Sequence, residues 1–324
     1  MEEFPQTAVI GGGMIGLSLC VLLTGNGIDT TLYVRSRPRE KREQYEKIFK
    51  GLEEKKLLTK TERSNCESYL RITDSYGELE HAEIVFESVT EDLEAKREVY
   101  DSLFQFCPKL KAAASTTSAF SSLELAGCSK MKDKILVAHP FYPPHLIPCV
   151  EVVPNENTSG EALRAVTGLL RYLRREVVII RRDKPGFVAN RIQYAMLREA
   201  VHIVEEGIAA PEDVDRVLMY SFMPRYTSIG IFEHFDHCGL DLTGSICDYL
   251  YPHLSNASSA QKLLREKCHE GEFGVKCKKG IYSWDEERIK ELEERVENPY
   301  LNHICWNIPK DPRKPEKGGN EKSV

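Results

Sequence analysis

No apolar run in the sequence is long enough to cross a membrane. The longest, such as EVVII at residues 176–180, fall far short of the roughly 20 residues that a spanning helix requires. The first residues also lack the order of basic, apolar and small positions that marks a signal peptide. We therefore expect a soluble, cytoplasmic protein without a membrane partner.

The sequence also lacks cysteine pairs of the kind that bind metal. None of its ten cysteines forms a CxxC pair or has metal-like spacing with a histidine, so we expect reduced, structural thiols with no disulfide and no metal. An excess of positive charge is absent as well, because the formal net charge is -6. This charge, together with the lack of an aromatic and basic platform, argues against nucleic acid as a partner.

The length and composition favour two globular domains. A chain of 324 residues is too long for one ordinary core, and a hydrophobic content of 41% supports packing. Short β-rich runs alternate with helical stretches, which predicts an α/β Rossmann domain over residues 1–183 with a doubly wound, mostly parallel sheet. After the first two strands, the predicted strands lie at residues 83–88, 111–115, 134–139, 149–154 and 176–180.

The pattern changes at the string DKPGFVANR. From Val188 onward the periodicity is helical, and Pro211, followed by two acidic residues, is placed to open a second helix. We predict an all-α C-terminal domain over residues 184–298, whose last part, 285–298, is a solvated charged helix. Residues 307–324 are predicted to be a disordered tail.

Three glycines follow the first predicted strand in the order G-x-G-x-x-G. Gly11 permits a tight turn, Gly13 lets the backbone approach a pyrophosphate, and Gly16 lets helix and sheet pack closely. The phosphate would rest on N–H groups of the first helical turn, which Met14 and Ile15 open. A merely flexible loop is the alternative, but the strand before and the helix after favour dinucleotide binding.

The acid that usually ends the second strand of such a domain is missing. Val34 takes its place, and Arg35, Ser36 and Arg37 follow. A carboxylate there would bind ribose hydroxyls and repel a 2′-phosphate, whereas arginines and a hydroxyl can bind that phosphate. The stretch favours NADP(H) over NAD(H). In the alternative, the arginines are solvated and one stacks on the adenine of NAD.

Four further stretches carry a family resemblance. They are ESVTEDLEAK at 87–96, STTS at 115–118, AHPFYPPHLIPCVEVVP at 138–154 and KPGFVANR at 184–191. Together with the glycine turn, and over residues 6–284, they resemble the 3-hydroxyacyl-CoA dehydrogenase family. The resemblance implies an oxidoreductase of the fatty acid metabolism type, in which a Rossmann domain is followed by a helical dimerisation domain, and hence a homodimer.

A histidine and a glutamate carry the predicted chemistry. His139 ends the predicted strand KILVAH, at the carboxyl edge of the sheet, where doubly wound folds bind ligands. A neutral imidazole can take the proton of a substrate hydroxyl while hydride leaves the same carbon for the nicotinamide. Glu151, between apolar neighbours, would be costly to bury unpaired, so we predict that it hydrogen-bonds and orients the ring. Each residue alone would be interpreted as structural, but the joint pattern favours catalysis.

The resemblance implies roles for further residues. Ser118 corresponds to a serine that hydrogen-bonds the reacting oxygen, with turn chemistry as the alternative. Asn190 corresponds to an asparagine that positions substrate, with a polar helix start as the alternative. Ser88, Glu91 and Lys96 match positions that line the cofactor. The lysine can instead contact its glutamate neighbour or be a solvated helix residue.

Departures from the family pattern point to two different classes of substrate. Tyr142 and Thr116 stand where members commonly have asparagine. The string PPHLIPCVEVVP resembles the branch of lambda-crystallin (L-gulonate 3-dehydrogenase), carnitine dehydrogenase and a pyridine-carboxylate dehydrogenase, which act without CoA. The string GLDLTGSICDYLYPHL at 239–254 instead resembles short-chain hydroxyacyl-CoA members. The basic run over residues 39–60 can hold CoA phosphates, or it is a solvated helix with Glu43–Lys47 and Glu46–Lys50 pairs.

The sequence therefore predicts an NAD(P)-dependent dehydrogenase that interconverts a 3-hydroxy and a 3-oxo group. Its partner is a small molecule, either a 3-hydroxy or 3-oxo acid or the CoA thioester of one. One alternative is a dehydrogenase of a small hydroxy acid without CoA, of the L-gulonate, carnitine or pyridine-carboxylate type. Another is a non-catalytic, crystallin-like NADPH-binding protein, against which the intact set of His139, Glu151, Ser118 and Asn190 argues.

Overall fold

The computed structural model of the protein describes residues 5–301 and 304–311. These residues form two compact units, of which the first runs to Val188 and includes the segment from Glu297 onward, and the second is Ala189–Val296. The first unit extends to Val188, and Phe187 is buried in its core. The backbone N–H of Val188 also donates to the Glu151 carboxylate at 2.9 Å.

The first unit contains an eight-stranded sheet. Its strands are β1 (Thr7–Ile10), β2 (Thr30–Tyr33), β3 (Leu70–Thr73), β4 (Ile84–Glu87), β5 (Ala112–Ser115), β6 (Ile135–Pro140), β7 (Cys149–Val153) and β8 (Glu176–Ile179). The order is β3-β2-β1-β4-β5-β6-β7-β8, and every neighbouring pair is parallel except the antiparallel pair β6 and β7. The carboxyl ends of β1, β4, β5 and β6 therefore meet at one edge, as a doubly wound sheet requires.

Helices cover both faces of this sheet. In the first unit they are α1 (Met14–Gly25), α2 (Pro38–Glu54), α3 (Lys60–Glu67), α4 (Leu93–Phe106), α5 (Ser122–Gly127) and α6 (Gly160–Tyr172). Alternate residues of a strand point to opposite faces, so Val9 packs with α1, α2, α3 and α6 while Ala8 and Ile10 pack with α4 and α5. The two separate clusters are the two hydrophobic layers of the Rossmann fold.

The segment after the last helix packs against the first unit. Trp306 is 9% exposed, and its ring lies edge-on to Phe49 at 6.3 Å between centroids. The backbone N–H of Asn307 donates to Oδ1 of Asn26 at 2.8 Å. The backbone carbonyls of Pro309 and Lys310 also accept from Asn65, so part of the predicted disordered tail has defined contacts. The rest of that predicted tail, 312–324, lies outside the described residues.

The second unit is helical, as predicted. Its helices are α7 (Ala189–Glu205), α8 (Pro211–Tyr220), α9 (Ile231–Cys238), α10 (Leu240–Leu250) and α11 (Lys262–His269), and α12 (Glu286–Leu301) runs from it into the first unit. Pro211 opens α8 with Glu212 and Asp213 in its first turn, where acidic side chains complement the helix dipole. Within residues 5–301 and 304–311, none of the helices has the length and apolar character of a membrane span.

Candidate active site

His139 and Glu151 face each other across the two antiparallel strands β6 and β7. The register pairs them directly, and Nδ1 of His139 lies 2.9 Å from Oε2 of Glu151. Both side chains are buried, at 6% and 2% exposure. The predicted hydrogen bond is therefore present, and it lies at the carboxyl edge of β6.

This hydrogen bond fixes which nitrogen carries the proton in the neutral ring. An ionised carboxylate can only accept, so Nδ1 carries the proton and Nε2 is left as an acceptor. The second carboxylate oxygen accepts from Val188 N–H, so Glu151 is held at both oxygens. The rings of Phe141 and Phe187 lie 4.9 and 5.5 Å from the imidazole, centroid to centroid, and restrict its rotation.

The glycine turn between β1 and α1 has the geometry of a phosphate cradle. A Cβ on Gly11 would lie 2.3 Å from the carbonyl oxygen of Ser88, and the φ of Gly11 is +112°, so that only glycine suits this turn. A Cβ on Gly16 would lie 1.9 Å from the Gly11 carbonyl oxygen. Gly13, in contrast, has no described atom within 4 Å of that position, which leaves room for a ligand.

The same turn supplies backbone donors. Gly13 is the N-cap of α1, so Met14, Ile15 and Gly16 occupy its first turn, where backbone N–H groups have no acceptor within the helix. Met14 is 72% exposed. These residues fit a bound pyrophosphate, for which N–H groups at a helix start are the usual ligands.

The end of β2 carries the predicted substitution of arginines for an acid. Val34 is buried, and its Cγ1 lies 2.9 Å from where a Cβ on Gly12 would be, so it occupies the position beside the glycine turn. Arg35 pairs with Glu98 at 2.8 Å and Arg37 with Glu40 at 3.3 Å, and the two arginine side chains are 66% and 75% exposed. Ser36 is also exposed. Exposed pairs of this kind are weak, so both guanidinium groups are available to an anion.

Glu91 links the loops that follow β4 and β5. Its carboxylate accepts from Thr117 Oγ1 at 2.8 and 2.9 Å and from the backbone N–H of Ser118 at 3.0 Å. Ser118 is exposed at the sheet edge, and a capping box of Ser121 and Glu124 opens α5 directly after this turn. Ser88 lies in the adjacent loop, where its Oγ accepts from Thr116 at 3.3 Å.

Lys96 is buried rather than solvated. It is 1% exposed, and its Nζ donates to both oxygens of Glu87 at 2.9 and 3.1 Å and lies 3.5 Å from Glu91. Of the two alternatives to a cofactor contact, the structure thus has the contact with a glutamate. Glu87 also accepts from Ser115 Oγ at 2.6 Å and from Tyr100 at 3.3 Å. Burial, together with this carboxylate, raises the pKa of Tyr100.

Sequence reasoning missed Glu87, although one signal was available. It is the only charged residue of β4, whose sequence is IVFE, and it is fully buried. A buried carboxylate needs a cationic or hydrogen-bonding partner, and Lys96 is the lysine of the next helix. The pair supports Glu91, and through it the turn that contains Ser118.

Asn190 lies in the first turn of α7, in the second unit. Its role toward the substrate stays a prediction. The predicted ion pairs on α2 are not those observed, since Arg42 pairs with Glu46 and Lys50 with Glu54.

Comparison with known proteins gives concordant matches over both units. Residues 6–184 match the family model described as 3-hydroxyacyl-CoA dehydrogenase, NAD binding domain, and residues 186–284 match the corresponding C-terminal domain. The 5-formyl-3-hydroxy-2-methylpyridine 4-carboxylate 5-dehydrogenase of Mesorhizobium japonicum is 32% identical over 69% of this chain and 73% of its own. A probable 3-hydroxybutyryl-CoA dehydrogenase of Bacillus subtilis is 29% identical over 88% of this chain and 99% of its own.

The structural comparison agrees. A crystal structure of 5-formyl-3-hydroxy-2-methylpyridine 4-carboxylic acid 5-dehydrogenase, described as an NAD⁺-dependent dismutase, superposes with a TM-score of 0.83 at 27% identity. The match covers 93% of this chain and 97% of that one. The lambda-crystallin homolog of Rattus norvegicus is 31% identical over 74% of this chain and 76% of its own.

Proposed function

Because the chain belongs to the 3-hydroxyacyl-CoA dehydrogenase family, we propose that it interconverts a 3-hydroxy and a 3-oxo group with His139 as the acid–base residue. The observation that carries this proposal is the buried hydrogen bond of 2.9 Å between His139 Nδ1 and Glu151 Oε2. It leaves Nε2 as the acceptor of the neutral ring at the carboxyl edge of the sheet. General bases of this type contribute roughly 10²- to 10⁴-fold to a reaction rate.

The chemistry divides between the cofactor and the protein. A bound nicotinamide supplies the acceptor or donor of hydride. In the oxidative direction, His139 Nε2 takes the proton of the substrate hydroxyl, and Glu151 stabilises the imidazolium that results. In the reductive direction, the same imidazolium returns the proton to the forming hydroxyl. Ser118 would hold the reacting oxygen, and Asn190 would position the substrate.

We favour NADP(H) as the cofactor of this NAD-binding domain, with NAD(H) also accepted. Val34 occupies the place of the ribose-binding acid, so no carboxylate there repels a 2′-phosphate. Arg35, Ser36 and Arg37 supply donors at the exposed end of β2. Ser88, Glu91 and the first turn of α1 would line the rest of the cofactor. The buried Lys96 would hold Glu91 in place through their ion pair.

The substrate is a small 3-hydroxy or 3-oxo carboxylic acid or its CoA thioester. Relatives named for both classes are similar to this chain, namely 3-hydroxybutyryl-CoA dehydrogenases and, without CoA in their names, L-carnitine dehydrogenase and the pyridine-carboxylate enzyme. A thioester substrate would place the enzyme in fatty acid metabolism. A free acid would make it similar in substrate to L-carnitine dehydrogenase and the pyridine-carboxylate enzyme.

Steady-state assays test the proposal directly. Acetoacetyl-CoA and a panel of free 3-oxo acids should be supplied with NADH or NADPH, and turnover of at least one substrate is expected. The absence of turnover over the whole panel, in protein that binds NADPH, would indicate the alternative of a non-catalytic, crystallin-like binding protein.

We further propose that a second copy of this chain covers the helical unit. Among the described residues, α8, α9 and α10 bury none of their side chains, and Tyr220, Phe232 and Tyr249 are 81%, 85% and 76% exposed. Apolar surface of this extent usually meets a partner. Light scattering should give a mass twice that of one chain. In Phe232→Asp the measured mass should fall to that of one chain. A matched change on α4, Phe104→Asp, should leave the dimer intact.

The cytoplasm is the compartment we propose. All ten cysteines are free thiols, and three of them, Cys20, Cys66 and Cys107, are buried. Thiols persist in the reducing cytoplasm. Fractionation of cells that express the protein tests this assignment.

A further inference from the structure

A pocket that borders segments of the proposed site contains a second buried histidine, His145. A pocket of about 540 Å³ opens between α1, α2 and the loop after β6. Its lining includes Met14 of the cofactor turn and Tyr142, which follows His139 closely in the chain. The volume is within the range of small-molecule sites. The pocket therefore borders the turn that would hold the pyrophosphate and the loop that follows His139.

His145 forms part of the pocket wall and is almost fully buried. It is 6% exposed, and its Nδ1 lies 2.6 Å from Oγ of Ser18. The same Oγ accepts from the backbone N–H of His145 at 3.1 Å. Burial, together with the charges of Arg175 and Lys55, lowers the pKa of His145 to about 3, so the ring is neutral near pH 7.

The contacts of Ser18 favour one tautomer of this ring. Its hydroxyl has one proton to donate, and Nδ1 of His145 is the acceptor that it contacts among the described residues. A neutral imidazole that accepts at Nδ1 must carry its proton on Nε2. Nε2 has no hydrogen-bond partner within residues 5–301 and 304–311, and His145 lines the pocket, so its N–H is free to donate to a ligand there.

The charge of the wall is positive. Lys55 is paired with Glu297, a residue of the segment that rejoins the first unit. Lys47 also lines the pocket, and it has no carboxylate partner in the described part of the chain. An N–H donor and an unneutralised ammonium in the lining of one pocket can together bind a carboxylate through charge-assisted hydrogen bonds.

We propose that His145 and Lys47 bind the carboxylate of a small 3-hydroxy or 3-oxo acid, so that the substrate is the free acid rather than a CoA thioester. This inference rests on the proposed dehydrogenase function and specifies its substrate class. Lys47 and His145 are then specificity-determining residues, and neither takes part in proton or hydride transfer. A thioester or ester lacks the negative charge that they bind.

Substitutions at the two positions test the proposal with a charged and a neutral substrate. Lys47→Met should raise the KM for a free 3-oxo acid about tenfold, the effect of losing one charge-assisted hydrogen bond, and should leave the KM for its methyl ester unchanged. His145→Leu should do the same, whereas His145→Gln should retain much of the affinity because its amide keeps a donor. Lys50→Met, on the same helix but outside the pocket lining, should change neither value.

A binding measurement separates this proposal from the proposed function. Calorimetry of butyrate and of butyramide with the NADPH-loaded wild type requires no turnover, and only butyrate should bind. Loss of butyrate binding in Lys47→Met would support the carboxylate subsite even where the assay panel shows no turnover. Equal changes for acid and ester, or a lower KM for acetoacetyl-CoA than for every free acid, would overturn it. Melting curves for each variant identify any loss that comes from unfolding.

Discussion

Nδ1 of His139 lies 2.9 Å from Oε2 of Glu151 because the two residues are directly opposed on antiparallel strands. β6 and β7 are the one antiparallel pair in a sheet whose other described pairs are parallel. The reversal brings β7 back past the carboxyl edge, so a carboxylate on it reaches the histidine. Both side chains are held by backbone pairing rather than by a loop.

The arginines after β2 should control the choice between the two dinucleotides. Arg35→Gln and Arg37→Gln, singly or together, are expected to raise the KM for NADPH on the order of tenfold and to leave that for NADH nearly unchanged, because only NADPH carries the phosphate that they bind. The measurement is steady-state kinetics with each cofactor. Arg39→Gln, an exposed change in the same stretch, is the matched control. Equal effects on both cofactors would show that the arginines are ordinary surface residues.

Alanine at two positions of the glycine turn should have two different effects, one on stability and one on cofactor binding. Gly16→Ala would place a Cβ 1.9 Å from the Gly11 carbonyl oxygen, so we expect a lower melting temperature in the absence of cofactor. Gly13→Ala has no described atom within 4 Å of its Cβ, so its melting temperature should stay unchanged while the Kd for NADPH rises. Thermal melts and fluorescence titrations measure the two quantities. Tight NADPH binding by Gly13→Ala would contradict the placement of the pyrophosphate.

The buried pair of Glu87 and Lys96 should behave as a unit. Lys96→Met leaves a fully buried carboxylate without its cation, which is expected to cost about 3 to 5 kcal/mol in the free energy of unfolding. The double variant Glu87→Gln/Lys96→Met should recover part of that loss. Urea unfolding gives the comparison, with the exposed Arg97→Met as control. If the two single losses simply add in the double variant, the pair is not coupled.

Buried neutral His145 should make stability depend on pH. Its pKa is lowered to about 3 in the folded protein, whereas an unfolded histidine titrates near ~6.5. The unfolded chain therefore binds the proton first, so stability is lost as pH falls below about 6.5. Between pH 8 and pH 5 this one group should cost about 2 kcal/mol. Urea unfolding of wild type and His145→Gln at both pH values measures the difference, and an identical pH dependence would argue against a neutral buried ring.

Local patterns in the sequence identified the elements that carry the site. G-x-G-x-x-G between a strand and a helix indicated the cofactor turn, and an acidic residue in the apolar run CVEVV indicated a paired carboxylate. Both features are governed by chemistry within a few residues, so they are visible without a structure. The strand β3 was missed because LRIT is short and follows a polar helix, and its pairing partner β2 lies far away in the chain.

Features that depend on contacts between residues far apart in the chain could not be predicted from the sequence patterns. Lys96 has the surroundings of a solvated helix lysine in sequence, and only the end of β4 beneath it explains its burial. Trp306 likewise stands in a polar stretch, yet it packs against Gly25, where a Cβ would lie 2.5 Å from its ring. The pocket beside His145 joins residues from four separate parts of the chain.

The central claim is that His139 transfers the proton in a dehydrogenase reaction. Single-turnover measurement with His139→Gln, on the substrate that the wild type uses fastest, tests it most directly. We predict a rate lowered by roughly 10²- to 10⁴-fold with the Kd for NADPH unchanged, because the ring is the base and the glycine turn alone holds the pyrophosphate. A variant that keeps more than a tenth of the wild-type rate would contradict the account.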